Sequence, residues 1–228
     1  MKNFFKLIFA VFLLPTLFFV LVEVVRILSA ALGDFKPALS FLLGALIYCG
    51  IHFGYYRFSR LYVFGHEVTH ALAALLFGYR IKDMSVKENS GYVKMTKYNT
   101  VVVLAPYFVP LYTLAAAFVY LTADLFTNMT PYRFVFVFLV GFFTAFHFVQ
   151  TFQTLFEANQ PDLKMAGGSV FSVITITFVN LVILALVLKG LFPDTVALLP
   201  AAKNVLVSTV NLWRILVNYI VERIINAA

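Results

Sequence analysis

Two histidines and a glutamate, His66, His70 and Glu67, have the types and spacing of a metal-dependent hydrolytic centre. On a helix, residues four apart lie one turn apart on the same face, so both imidazoles can reach one metal ion. The glutamate after the first histidine can then accept a proton from a water bound to that ion. With four histidines in 228 residues, this pattern arises by chance in about one shuffled sequence in a thousand. We therefore interpret the histidines as zinc ligands and Glu67 as a general base.

The three residues lie within an apolar stretch of the chain, residues 61–78. On a soluble surface helix, such polar side chains would be solvated and would need no further role. At membrane depth each of them is costly to bury, so their presence there indicates a function. The alternative is a pair of packed core histidines with an unrelated glutamate between them, and the cost of burial disfavours it.

The composition is that of an integral membrane protein. Hydrophobic residues make up 62% of the chain and charged residues 12%, with a mean hydropathy of +0.94; soluble domains carry about 25% charged residues. The net charge of +7 lies mainly beside apolar runs, which favours cytoplasmic loops and anionic headgroups and argues against nucleic acid as a partner. The single cysteine, Cys49, excludes an intramolecular disulfide.

The apolar runs predict an all-α polytopic membrane protein, with one domain over residues 1–228 and its core at about 61–180. The last segment, 201–226, carries a narrow polar stripe typical of a C-terminal amphipathic helix, either interfacial or a final span. His52 is expected to be a packed or interfacial histidine. We expect about six transmembrane helices, over residues 4–32, 37–56, 61–78, 101–123, 132–156 and 169–188.

The segment after the histidines predicts a β-hairpin. Residues 80–87 and 92–97 alternate between polar and apolar side chains, and residues 88–91 have the composition of a turn. A solvated loop is the alternative. A hairpin beside a peptidase centre would offer an exposed edge to an extended substrate strand, and we expect Tyr92 and Val93 to take part in that pairing.

A regular topology, in which every apolar run crosses the membrane once, conflicts with the charges. It places the basic hairpin on the opposite side from Arg57 and Arg60, although both should be cytoplasmic. It also separates Asp162 from His66. Both conflicts disappear if residues 61–78 enter and leave from one face, or if they merge with the preceding run into one bent crossing.

A catalytic zinc normally takes three protein ligands and leaves a fourth position for water. Asp162 is the favoured third ligand, because it follows a proline in a polar break between two spans, and broken backbone at membrane depth tends to line internal sites. His147 and Glu157 are the alternatives.

The chain resembles the site-2 protease family of intramembrane zinc metalloproteases. The resemblance rests on His66-Glu67-Val68-Thr69-His70 in a membrane segment, on the hairpin, and on Asn159-Gln160-Pro161-Asp162 far downstream. The family usually has Leu-Asp-Gly after an asparagine and a proline, whereas here Leu163 and Lys164 follow the aspartate. The resemblance implies zinc on His66, His70 and Asp162, Glu67 as general base, and Asn159 close to the substrate.

These expectations together predict a zinc-dependent endopeptidase that cleaves single-span membrane proteins, in a prokaryotic cell membrane. An inactive membrane scaffold that binds metal is one alternative, but such a scaffold has no use for a base at Glu67. A transporter is the other alternative, and the paired repeats that are typical of transporters are not visible in the sequence.

Overall fold

The computed structural model describes residues 2–156 and 160–226 of the chain. These residues are mostly helical, with a short 3-10 turn at Thr130–Tyr132. The elements in chain order are α1 (Lys2–Ala31), α2 (Phe35–Gly54), α3 (Ser59–Leu76), β1 (Ile81–Val86), β2 (Gly91–Met95), α4 (Thr100–Phe108), α5 (Leu111–Asp124), α6 (Arg133–Phe156), α7 (Pro161–Ala166), α8 (Ser169–Leu191) and α9 (Leu198–Ile225).

The chain divides into two compact units, and α8 contributes to both. The first unit comprises Met1–Asp34 and Thr177–Ala228. Within it α1 packs against α9, and the buried Glu23 carboxylate accepts hydrogen bonds from Arg26 and from Asn204. Glu23 and Arg26 lie three positions apart on α1, so they form an ion pair across one helical turn.

The second unit, Phe35–Ile176, contains the residues that could do chemistry. Its most extensive helix–helix contact joins α2 to α6. Gly44 and Gly141 permit this contact, since a Cβ at Gly44 would lie 2.0 Å from the Phe138 carbonyl oxygen and one at Gly141 would lie 2.1 Å from that of Phe41. Small residues of this kind let membrane helices approach closely.

Five described helices, α1, α2, α6, α8 and α9, are long and apolar enough to span a membrane, with α6 extended by the preceding 3-10 turn. The bent pair α4–α5 would be a sixth. The expected number of about six therefore agrees, but the members differ: α9 belongs to the set and α3 does not. Helix α3 is too polar to count as a membrane span, because histidine, glutamate, serine and arginine interrupt its apolar residues.

The prolines of residues 101–123 break that run into two helices, α4 and α5, which are bent by 71°. The break falls at Val109 and Pro110, whereas Pro106 is accommodated inside α4. Proline lacks an amide donor, so a helix can start there more easily than it can continue through it. Residues of α4, α7 and α8 form one apolar core, namely Val103, Leu104, Tyr107, Leu163, Ala166 and Ile176.

The predicted hairpin is confirmed: β1 and β2 pair antiparallel, with an irregularity between Ile81 and Asp83. Gly91 is the first residue of β2 and pairs with Val86, rather than belonging to the turn as expected. The turn is closed instead by Lys87, whose amide donates to the Ser90 carbonyl at 2.8 Å. Both strands contact α3, so the hairpin lies against the helix that carries the histidines.

Candidate metal centre

Helix α3 carries His66, Glu67 and His70. It starts directly after Phe58, whose φ of 52° lies in the left-handed region and separates α3 from α2. Close packing on α5 fixes the helix, since a Cβ at Gly65 would lie 2.7 Å from the Tyr112 ring. The same tyrosine donates to the Leu61 carbonyl at 2.6 Å. Glu67 and His70 on this helix are both buried.

Asp162 lies directly in front of both histidines. Its Oδ2 is 3.4 Å from His66 Nε2 and 3.5 Å from His70 Nε2, and the three potential ligand atoms all lie within 4.8 Å of one another. Two ligand atoms bound to a tetrahedral zinc at 2.0–2.1 Å would be about 3.3–3.4 Å apart. The spacing and the two-imidazole, one-carboxylate donor set therefore fit zinc. That these residues bind it stays a prediction.

The hydrogen bonds around the cluster orient its ligand atoms. His70 Nδ1 lies 3.0 Å from the Val102 carbonyl oxygen, which can only accept, so Nδ1 carries a proton and Nε2 is the nitrogen that faces Asp162. Metal-binding histidines are usually held by such a partner. On the other side, Tyr107 donates its hydroxyl proton to Asp162 Oδ2 at 2.9 Å. Asn99 caps α4 by accepting from the Val102 amide at 2.9 Å, which holds this turn in place.

Asp162 is an anion in these surroundings. Burial on its own would raise the pKa of this carboxyl, but the imidazoles of His66 and His70 beside it hold the pKa well below its usual range. A carboxylate that stays ionised in a half-buried place is the form that binds a cation.

His66 differs from His70 in its second nitrogen. His66 Nδ1 is buried, and among the described residues it has no hydrogen-bond partner. His66 also borders a cavity of about 20 Å³, which His147 lines from α6. A cavity of that size holds one water molecule. His147, an alternative third ligand in the sequence, does not belong to the cluster of potential ligand atoms.

Glu67 lies against the first residue of β2. A Cβ at Gly91 would lie 2.6 Å from Glu67 Cγ and 2.8 Å from its Oε1, so the lack of a side chain at Gly91 leaves room for the carboxylate. Backbone therefore approaches Glu67 from the hairpin side, and the carboxylate borders two cavities.

The two cavities meet at His66, Glu67, Gly91 and Gln160. The first, the hairpin cavity, measures about 500 Å³ and is lined by β2 and α7, including Tyr92, Val93, Met95, Asp162 and Met165. The second, the polar cavity, measures about 370 Å³ and is lined by Arg57, Asn89, Gln150, Gln153, Thr154 and Gln160. Together they give access to the candidate general base from two sides.

The structure thus brings His66, Glu67, His70 and Asp162 together at the hairpin cavity. A topology in which every apolar run crosses the membrane once would separate Asp162 from the histidines. Tyr92 and Val93 line the hairpin cavity. Asp162 occupies the first turn of α7 rather than a loop, because Pro161 is well suited to the first position of a helix. Asn159 and Glu157 lie outside the described residues.

Tyr92 also takes part in a surface cluster on the hairpin. Its hydroxyl donates to Asp83 Oδ2 at 2.8 Å, and Lys94 Nζ lies 3.4 Å from the same oxygen. The Tyr92 hydrogen bond and the adjacent lysine lower the pKa of Asp83. These contacts tie the two strands together next to the hairpin cavity.

Sequence reasoning missed Tyr107 and the polar side chains of α6. Tyr107 gave no signal, since a tyrosine in an apolar run is ordinary. Gln150, Gln153 and Thr154 did give one: they share a helix face by their spacing within a phenylalanine-rich span. Polar residues on one face of an apolar helix indicate an internal polar surface.

None of the protein-family models, curated proteins or solved structures compared with this chain matches it. We therefore infer function from the side chains of the site.

Proposed function

We propose that the chain is an intramembrane zinc metallopeptidase of the site-2 protease kind, which hydrolyses peptide bonds of membrane-spanning substrates. One observation carries this proposal: the ligand atoms of His66, His70 and Asp162 converge within 4.8 Å, with Glu67 buried on the same helix. Both features occur together with five helices, among the described residues, that are long and apolar enough to span a membrane.

His66, His70 and Asp162 would hold the ion. Zinc supplies Lewis acidity, which polarises the scissile carbonyl and acidifies water. Glu67 is the proton carrier: it takes the proton of the attacking water and then delivers it to the leaving nitrogen. Its place beside His66 and at the meeting point of two cavities supports this role.

The hairpin cavity is the proposed binding place of the substrate strand. A helical substrate hides its carbonyls in hydrogen bonds, so it must unwind before attack. In a two-stranded sheet each strand has one edge that the sheet leaves unpaired, and an extended segment can add to such an edge. Tyr92 and Val93 line the cavity that also contains Glu67 and Asp162, which favours β2 as the strand that pairs.

The experiment is cleavage of a single-span protein by the purified chain in liposomes, before zinc removal, after treatment with a chelator, and after zinc is restored. We expect cleavage that disappears on chelation and returns with zinc. Glu67→Gln, loaded with zinc, provides the matched negative control. Cleavage that persists in the fully zinc-free protein would contradict the proposal, as would equal cleavage by the Glu67→Gln variant.

A further inference from the structure

The polar cavity beside Glu67 has one wall that the hydrolytic mechanism does not use. This wall is the polar face of α6, which presents Gln150, Gln153 and Thr154. The helix is otherwise rich in phenylalanine, and polar side chains at such depth are costly. The three residues therefore call for individual explanations.

Two of them have structural partners. Gln150 donates its amide to the Arg57 carbonyl at 2.6 Å, and the hydroxyls of Thr154 and Tyr62 lie 2.9 Å apart. These contacts hold α6 against Arg57, which precedes α3, and against Tyr62 within α3. They account for Gln150 and Thr154 as supports of the histidine helix.

Gln153 is held in a different way. Its amide oxygen lies 3.1 Å from His52 Nε2, and His52 Nδ1 lies 2.9 Å from the Tyr48 hydroxyl. His52 is 2% exposed and Tyr48 is completely buried. Two buried side chains of α2 thus hold one end of a glutamine whose residue borders the cavity.

The direction of these hydrogen bonds follows from the amide oxygen. An oxygen can only accept, so His52 Nε2 carries the proton, and Nδ1 must accept from the Tyr48 hydroxyl. Only the oxygen of the Gln153 amide is used in this way. Its NH₂ group, with two donors, has no partner among the described residues and remains for a group in the polar cavity.

We propose that the polar cavity is a substrate subsite, in which the Gln153 NH₂ donates to a backbone carbonyl of an extended peptide segment next to the scissile bond. His52 and Tyr48 are positioning residues that hold the amide in this orientation. The inference rests on the proposed function, because it needs a peptide at Glu67. Since Gln153 and Glu67 line one cavity, the carbonyl it binds belongs to a residue close to the cleaved bond.

The subsite also distinguishes the two sides of the scissile bond. Val93, Met95 and Met165 make the hairpin cavity more apolar, whereas three glutamines and Arg57 line the polar cavity. The substrate segment that enters the polar cavity is therefore polar and extended, with carbonyls free to accept.

The test pairs enzyme variants with modified substrates. A series of peptides, each with one backbone amide near the scissile bond replaced by an ester, weakens one carbonyl acceptor at a time. At one position the ester should slow the wild type about fivefold, the size of one neutral hydrogen bond, and should leave Gln153→Met unaffected. Gln153→Met itself should lose about fivefold in kcat/KM on the unmodified peptide with zinc content unchanged.

Three further variants distinguish loss of this one hydrogen bond from general misfolding. Gln153→Glu keeps the oxygen that faces His52 but lacks the donors, so it should show the same insensitivity to the ester. Phe152→Met, on the exposed neighbour, should behave as the wild type. His52→Phe, which releases the amide, should reduce the ester effect while zinc stays bound.

Equal ester effects in the wild type and in both Gln153 variants, at every position tested, would overturn the subsite while leaving the peptidase intact. A wild type that binds zinc but cleaves none of the unmodified substrates would remove the proposed function and the subsite with it.

Discussion

Two acidic side chains, Glu23 and Asp162, lie in apolar surroundings in different units of the molecule, and their partners differ in kind. Glu23 is buried with the Arg26 guanidinium and the Asn204 amide, which neutralise and solvate it. Asp162 faces the Nε2 atoms of His66 and His70. The first arrangement is complete without any other group.

The second arrangement is different because two ring nitrogens that can bind a metal ion when neutral face the same carboxylate. His70 carries a proton on Nδ1, so the contact between its Nε2 and the Asp162 carboxylate is favourable only with a second proton or a metal ion between them. A buried carboxylate with its own cation is a structural element. We interpret one that faces two imidazole Nε2 atoms as a metal-binding site.

The largest difference between the two carboxylates should appear on removing each. Asp162→Ala should lose zinc and all measurable cleavage, because a direct ligand should cost more than the 10–100-fold typical of an outer hydrogen-bond partner. Glu23→Gln should keep zinc and cleavage. Metal analysis and the liposome assay measure both. A Glu23 variant that loses zinc, or an Asp162 variant that keeps it, would reverse the comparison.

Glu67 should separate chemistry from metal binding within the second region. Glu67→Gln should retain one zinc and the same fold, while cleavage falls by about 10²–10⁴-fold because an amide cannot accept the proton of the attacking water. The measurement is single-turnover cleavage at equal zinc occupancy. Near-normal rates in this variant would exclude Glu67 as the base.

Tyr107 tests whether the hydrogen bond to Asp162 tunes the site. Tyr107→Phe removes the donor to Asp162 Oδ2, and zinc affinity should fall by about 10–100-fold. Tyr112→Phe is the matched control, since that hydroxyl binds the Leu61 carbonyl instead. Competition with a zinc chelator gives both affinities. Equal losses in the two variants would point to a general effect on α3.

The smallest effect should come from the hairpin. Val93→Pro removes one backbone donor from β2, and cleavage should fall about fivefold, as for one hydrogen bond, with zinc unchanged. Glu88→Pro, in the turn outside both strands, is the control. If Val93→Pro instead lowers zinc content, the hairpin is a structural wall of the centre and does not clamp substrate.

The sequence allowed the apolar helices to be predicted because a membrane span must be long and continuously apolar. The run predicted at 169–188 is observed as Ser169–Leu191. Helix α7 was not predicted, since six residues are too few for a periodic pattern. Gly91 was assigned to the turn for its residue type, yet it is needed in β2 for its contact with Glu67.

The candidate site was predictable where helical spacing or a short local motif marks its residues. His66, Glu67 and His70 follow from spacing along α3, and Asp162 from its proline and from the family resemblance. Contacts between distant segments were not accessible: Tyr107 and Asp162 are 55 positions apart, and His52 and Gln153 are 101 apart. Periodicity tells which side chains share a face, but not which other helix that face meets.

The most direct test of the comparison between Glu23 and Asp162 is X-ray absorption at the zinc edge on the wild-type protein loaded with one equivalent of zinc. We predict tightly bound zinc with only nitrogen and oxygen ligands at about 2.0–2.2 Å, two of them imidazoles. A protein that does not retain zinc would contradict this account. So would a sulfur ligand at about 2.3 Å, which would place the ion on Cys49 instead.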